Sequence, residues 1–458
     1  MKAQATIAAL AAVALIAAGC GRSGSGGEET PPASTRAGQP VTGDFGDLKG
    51  VCGPGKASGS PARGVTADQI KVGVFSDVGY TKNPEYLDLA KVFASWCNAA
   101  GGINGRKIVP TVRDAKFMEV RQRMLEACRE DFALAGGSAG LDGMGVKERL
   151  SCLLPDFPAQ TSQIQANGAD LQVAQTGGSS HNRYSGYYHW LLKEGYPGSA
   201  GAVGLMGGDS PVTKVLGGQA KEGLQAAGAK IVYDGLFPPQ GTTDWTPYAQ
   251  AVKSKGVKGL VFYGSFADLA KLEQVLTGMS YKLDWIDANN NSYGPAFLKL
   301  AANSLGAQNN LADLSGVYPL ENAASNPASK QLTELYARYA PKAQVTLPAV
   351  RGFGAWLLFA KAAASCGDAL TRKCVYEAAR KESAWTAGGL LTPVDLTSAD
   401  KPLQCFNVER ATPQGWRPAD FKPDKGAYRC DVPPYKYKGQ YGRPLKLADV
   451  GKSMSDVK

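Results

Sequence analysis

The sequence predicts an α/β protein made of two doubly wound, mainly parallel sheets, and three observations predict it. Short apolar runs of strand length alternate with patterns of helical period. The alternation runs through one set, lapses, and begins again, which argues for two sheets of the same plan. Pro110 falls inside the second strand-like run, "KIVPTVRD", and a proline cannot donate to a ladder, so that strand belongs at a sheet edge. An edge second strand fits the 2-1-3-4-5 order of a doubly wound sheet.

The chain begins with a leader. Lys2 is a positive start, Ile7 to Ala18 is apolar, and Ala17-Ala18-Gly19 are the small residues a signal peptidase needs, so residues 1–19 read as a signal peptide. The stretch is too short to span a membrane, which takes about 20 apolar residues. Small-small-Cys at Cys20 resembles the lipobox of bacterial lipoproteins, which implies diacylation of that thiol and cleavage before it. The alternative is an ordinary secretory signal followed by a cysteine; on either reading the mature chain leaves the cytoplasm. Residues 20–63 then read as a lipid-anchored flexible tether. Its first part, Gly21 to Gly50, is rich in Gly, Ser, Pro and Thr without periodicity, and about 30 such residues span roughly 30 Å.

Order is expected from "QIKVGVFSD", with Ile70, Val72 and Val74 as a strand. A helix follows, with Asn83 to cap it, Pro84 and Glu85 in its first turn, and Leu89, Val92, Phe93 and Trp96 on one face. Gly101-Gly102 stops it, and Asn104-Gly105 turns the chain into the strand with Pro110. Next come a helix with Val120, Met124, Leu125 and Cys128 facing inward, the strand "FALAGG", and a helix around Val146 and Leu150. The second set opens with the strand "GAVGLMGG" and a helix whose Val212, Val215 and Leu224 are assigned to its inner face. "KIVYDGLF", "GLVFYGS" and "LDWIDANN" are further strands, with Leu269, Leu272, Val275 and Leu276 facing inward from a helix between the last two. A long helix from about Pro348 to Ser365, another from about Thr371 to Glu382, and an irregular Pro-rich tail complete the chain.

Composition narrows the function. The formal charge is +10, but the Lys and Arg are scattered and no basic run carries interleaved aromatics, which argues against a nucleic-acid partner. Nine cysteines less Cys20 leave eight, a disulfide framework in an exported chain with about 105 conceivable pairings. Proximity suggests Cys366 with Cys374 and Cys405 with Cys430. Cys52 with Cys97 is a plausible third pair. Cys128 with Cys152 would follow if the second and third helices share a face of a 2-1-3-4 sheet. Two histidines and no Cys-x-x-Cys argue against a metal site, and no cofactor is expected.

At "WCNAAGGINGRKIVPTVRDAK" the sequence resembles the type I periplasmic solute-binding proteins, in particular the leucine/isoleucine/valine-binding branch that serves ABC importers. "RGVTADQIKVGVFSD", "TTDWTPYAQAVKSKG" and "GDALTRKCVYEAARK" with "TAGGLLTPVDL" resemble it in the same order. The resemblance implies two Rossmann-like lobes joined by a three-crossing hinge and a solute held between them. Residues 64–180 and 317–387 would form lobe 1, residues 181–316 and 388–445 lobe 2, and residues 446–458 a C-terminal tail. The crossings are expected near Thr176 to Tyr184, Gly316 and Gly388. The implied partners are a small-molecule ligand, the permease subunits of an ABC importer and the membrane through the lipid anchor, with the protein a monomer on the outer face of the cell membrane.

Candidate ligand contacts lie in loops after strands, where open α/β sheets bind ligands. In lobe 1 they are Tyr80, Ser138 in "GGSAG", and Thr161, which the family's Pro-Ala-x-Thr pattern would place on a ligand carboxylate. In lobe 2 they are Ser210, Phe266, Asn289 and Asn290. Amino-acid-binding relatives carry an acidic residue where this chain aligns Asn289, and a closed cleft penalises an unpaired ammonium. The expected ligand is therefore a small polar or anionic metabolite, with a branched-chain or other amino acid as the runner-up. A ligand sensor uncoupled from transport is a third reading. The rival from another class is a serine hydrolase, since "GGSAG" matches Gly-x-Ser-x-Gly around Ser138, and Asp170 and His181 follow in the hydrolase order. His181 comes too soon after Ser138 for the strands that normally carry those partners, so no enzymatic activity is expected.

Overall fold

The structure is a computed structural model that describes residues 41–458. The signal peptide, Cys20 and residues 21–40 of the predicted tether lie outside the described residues; residues 41–63 are not a free tether, because Phe45, Val51 and Cys52 are buried in the lobe 1 core and Cys52 is bonded to Cys97. The first sheet is built by β1 (Gln69–Ser76), β2 (Lys107–Asp114), β3 (Ala133–Ala135) and β4 (Asp156–Phe157), all parallel in the order β2-β1-β3-β4. Between them run the short helix α1 (Val78–Thr81), α2 (Glu85–Ala99), α3 (Val120–Glu130) and α4 (Val146–Ser151). Pro110 sits on the edge strand opposite Val72, where its missing N–H costs no ladder bond.

The chain then passes through β5 (His181–Asn182) and α5 (Ser185–Trp190) into a second sheet. There β6 (Val203–Gly208), α6 (Pro211–Ala226), β7 (Ile231–Phe237), α7 (Thr246–Ser254), β8 (Gly259–Tyr263), α8 (Phe266–Gly278), β9 (Trp285–Asp287), α9 (Pro295–Leu300) and β10 (Asn310–Asp313) repeat the alternation. It returns to the first sheet as α10 (Pro327–Tyr339), α11 (Leu347–Ser365) and α12 (Arg372–Ala379), and crosses again to β11 (Val408–Thr412) and β12 (Gly415–Pro418). These last two strands extend the second sheet antiparallel, giving the order β12-β11-β10-β9-β8-β6-β7. Their antiparallel pairing and α10 are additions to the elements that the sequence predicted.

Helix α11 explains the lobe 1 core. Its run "LPAVRGFGAWLLFAKAAAS" is apolar on nearly every side, so it must be enclosed. Phe353 and Trp356 meet Phe93 of α2 at ring separations of 5.2 Å each, and Phe359 lies against Phe157 of β4. In lobe 2 Tyr187, Tyr188 and Trp190 of α5 pack with Leu205, Val261 and Trp285 of the sheet. Two assignments to the core are corrected. Leu125 is 43% exposed, because the buried face of α3 is made by Val120, Met124, Ala127 and Cys128 alone. Val212 and Val215 are only half-buried and face the space between the lobes instead of the sheet.

The crossings are knitted together. Val317 and Leu391 form an antiparallel bridge, Thr392 N–H donates to Gly316 O at 2.8 Å, and Tyr318 N–H donates to Leu390 O at 2.9 Å. Gly316 has φ +79°, and a Cβ there would lie 2.3 Å from Thr392 Cγ2, so this turn accepts only glycine. Four disulfides join Cys52–Cys97, Cys128–Cys152, Cys366–Cys374 and Cys405–Cys430.

The C-terminal segment is not an irregular tail. From Cys430 in lobe 2 it adds β13 (Tyr435–Lys436) to β5. The Glu222 carboxylate of α6 accepts from Lys438 N–H at 2.5 Å, Gly439 N–H at 3.0 Å, Tyr435 Oη at 3.0 Å and Tyr441 Oη at 2.7 Å. The segment then docks on lobe 1. Leu445 N–H donates to Gln165 O at 3.0 Å, and Leu447 and Val457 are buried against Val146, Leu150 and Leu171. It therefore makes a fourth connection between lobes for which three were expected.

Candidate functional site

A cavity of about 630 Å3 lies between the lobes. Its lobe 1 wall is built from loops after strands, and two acidic residues hold those loops from behind. Asp77, just after β1, accepts from Phe117 N–H at 2.7 Å and Gly140 N–H at 2.6 Å, joining the loops that follow β2 and β3. Asp142 accepts from Ser162 N–H at 2.8 Å and Gln163 N–H at 2.9 Å, fixing the loop after β4. Burial pushes the Asp142 carboxyl up to about 7, against those two N–H bonds. The lobe 2 wall is the first half of α6, started by the Ser210 cap and Pro211, with Asn289 and Asn290 beyond β9.

At the hinge stand two arginines. Arg183, one residue past β5, and Arg351, in the second turn of α11, line both the cavity and the smaller space where the three crossings meet. Arg351 donates to Leu314 O at 3.2 Å. Arg113 and Arg429 each hold carboxylates at 2.8 Å, whereas among the described residues neither Arg183 nor Arg351 forms an ion pair. The described residues lining the cavity include these two arginines and His181, and no aspartate or glutamate. Asp287 and Asp313 lie deeper. Burial pushes Asp287 up to about 7, against a bond from Asn289 N–H, and Asp313 up to about 6, against bonds from Ser315 and Asn407 N–H. Because both are raised from 3.8, they favour the fold at low pH and lose that contribution as pH rises from 3.8 through those values.

The structure brings Thr161, Ser210, Asn289 and Asn290 together on this cavity. Thr161 Oγ1 is buried without a partner. Ser210 Oγ is 2.8 Å from Thr213 Oγ1 in the α6 cap, and Asn289 Oδ1 accepts from Asn291 N–H at 3.3 Å. Three candidates sit elsewhere. Ser138 lines an adjoining interior space of about 40 Å3 behind the lobe 1 wall, which shares Gln160 and Thr161 with the cavity. Tyr80 is 60% exposed and stacks on Phe117, itself a cavity residue, with ring centroids 5.1 Å apart. Phe266 opens α8 and packs against the lobe 2 core. Asp170 receives Leu447 N–H at 2.7 Å, and His181 is engaged with Ser180 and Asp400, so neither hydrolase partner is directed to Ser138.

Arg183, Arg351 and Tyr437 were missed from sequence. Arg351 carried a signal, being a lone charge inside an apolar helical run. Arg183 lay in the predicted first crossing, and Tyr437 reaches the cavity from a segment without periodicity.

The fold has many relatives of known structure. A fatty acid ABC transporter substrate-binding protein from Thermomonospora curvata is 20% identical, with 83% of this chain and 97% of that chain covered and a TM-score of 0.65. A leucine-binding protein from Thermotoga maritima is 12% identical over 76% and 97% of the two chains, with a TM-score of 0.62. An isoleucine-bound branched-chain amino acid transporter substrate-binding protein from Streptococcus pneumoniae is 18% identical over 75% and 96%, with a TM-score of 0.59. At such identities the likeness is one of fold. Among curated proteins none matches the chain significantly. The sequence profile described as "Periplasmic binding protein" matches residues 69–412, from the first residue of β1 to the last of β11. A match over that much of the sequence settles kinship: the chain belongs to the periplasmic binding protein family.

Proposed function

We propose that this protein is the solute-binding subunit of an ABC importer, held on the outer face of the cell membrane by a diacylated Cys20, and that its solute is an anion. The observation that carries the charge assignment is the pair Arg183 and Arg351 on a cavity whose described lining residues include no aspartate or glutamate. An amino acid closed into this cleft would bring an ammonium with no acidic partner on the wall, a costly burial. That disfavours the branched-chain amino acid reading. The protein captures and releases without chemistry, and a monomer delivers the solute to permease subunits as the hinge closes. Support for the ABC importer comes from the family and from the similar structures, one of which is described as serving fatty acids.

A thermal-shift screen tests the site, because a ligand bound only by the folded form raises the midpoint. Organic anions are expected to stabilise the protein and leucine is not. Arg183→Gln should weaken anion binding about 10- to 100-fold, the loss of a charge-assisted hydrogen bond in a partly dry site. Stabilisation by leucine and by no anion would overturn the reading. For the anchor, Cys20→Ala is expected to move the protein from the membrane fraction into the medium; retention would remove lipidation.

A further inference from the structure

We infer that the solute is an amphiphilic anion, with one charged head at Arg183 and Arg351 and an apolar body laid along α6. The inference rests on the anion reading above and deepens it. Helix α6 is unusual among the helices flanking the second sheet. Its buried residues, Ala220, Gly223 and Leu224, all lie in its second half. In its first half Val212, Val215 and Leu216 are half-buried and line the cavity. Across from them, Leu141 and Ile164 of lobe 1 line the same space. Two apolar walls from different lobes thus face a common gap, and an apolar guest between them would remove both from water.

The polar groups around the gap support the same division. Ser210 and Thr213 spend their hydroxyls on the α6 cap. Asn289 Oδ1 takes Asn291 N–H, and Gln163 Oε1 takes Gly143 N–H at 2.9 Å. On the lobe 1 wall Thr161 Oγ1 and Asn167 Oδ1 stay without a partner, two uncharged polar atoms beside the apolar side chains. The charged donors without a carboxylate partner are the arginines, gathered at the hinge end. A volume of about 630 Å3 is the size of pocket that encloses drug-sized organic molecules, well beyond what a short carboxylate such as acetate would fill.

Calorimetry with straight-chain probes, used below their micellar concentrations, separates this inference from the reading under it. Butyrate, octanoate and decanoate supply one head with bodies of rising length. Decylamine reverses the charge and decanol removes it. Affinity is expected to rise from butyrate to decanoate by roughly fourfold per methylene, with decylamine and decanol at least tenfold weaker than decanoate. Val215→Asp should lose decanoate while Val215→Thr, of matched shape, keeps part of the affinity; an unchanged thermal midpoint in the absence of probe shows that each variant is folded. If butyrate binds as tightly as decanoate, the apolar body is wrong and the anion reading stands. If decylamine binds better than decanoate, both are wrong. If decanoate does not bind, the amphiphile inference is overturned.

Discussion

Trp356→Ala is expected to destabilise the protein by about 4 kcal/mol, the order found when a buried tryptophan is cut to alanine. The side chain is fully buried in α11, stacked on Phe93 at 5.2 Å and edge-on to Phe359 at 6.0 Å. The hole would open between α2, α11 and the sheet, where the surrounding rings cannot collapse freely. The damage reaches the cleft too. Gly136 has φ +65°, and a Cβ there would come within 2.3 Å of the Trp356 ring, so the loop after β3 rests directly on the indole. Trp356→Phe provides the control. Trp356 Nε1 is buried without a partner, so the smaller ring removes an unsatisfied donor along with some volume, and its cost should stay below about 1.5 kcal/mol. Urea unfolding of the three proteins measures both values; equal midpoints for the alanine variant and the parent would refute the packing argument.

Loss of the Cys52–Cys97 bridge is the second large effect. The bridge closes a loop with a sequence separation of 45, worth about 4 kcal/mol in the chain-entropy account. It ties the start of the described chain to α2, where Phe45 is fully buried against Phe353 at 4.8 Å and Trp96 at 5.9 Å. The double variant Cys52→Ala, Cys97→Ala should unfold at a clearly lower urea concentration and expose residues 41–52 to protease first. If the double variant keeps the parent's midpoint and its resistance to cleavage, the bridge contributes nothing to stability.

The β-α alternation was legible because strand and helix periods differ, and Pro110 marked an edge because a proline cannot donate. The ligand-facing half of α6 was not legible. Val212 and Val215 have the spacing of an inner face, and periodicity reports only that a face is apolar. Whether it meets a sheet or a cleft depends on how far the helix overhangs its sheet, which is a tertiary property. The first half of α6 overhangs, so residues assigned to the core became walls. Leu125 failed for a related reason, since Val120, Met124, Ala127 and Cys128 of α3 already filled the contact. Arg183 and Arg351 converge from segments far apart in sequence, and only the hinge brings them together. The C-terminal segment has no period because its contacts are individual bonds to Glu222 and Asp170 in place of a repeating face.

That segment redraws the limits of the working protein. The family profile ends at residue 412, yet a chain trimmed there would strand Cys405 without Cys430 and strip Tyr437 from the cavity. Lys458 O accepts from Lys373 N–H at 3.0 Å, next to the buried Val457, so this stretch sits on lobe 1 as a seated plug. Swinging the halves apart on this side would break the four bonds at Glu222 or unseat that plug. Opening on the flank away from the strap would leave both sets of contacts in place.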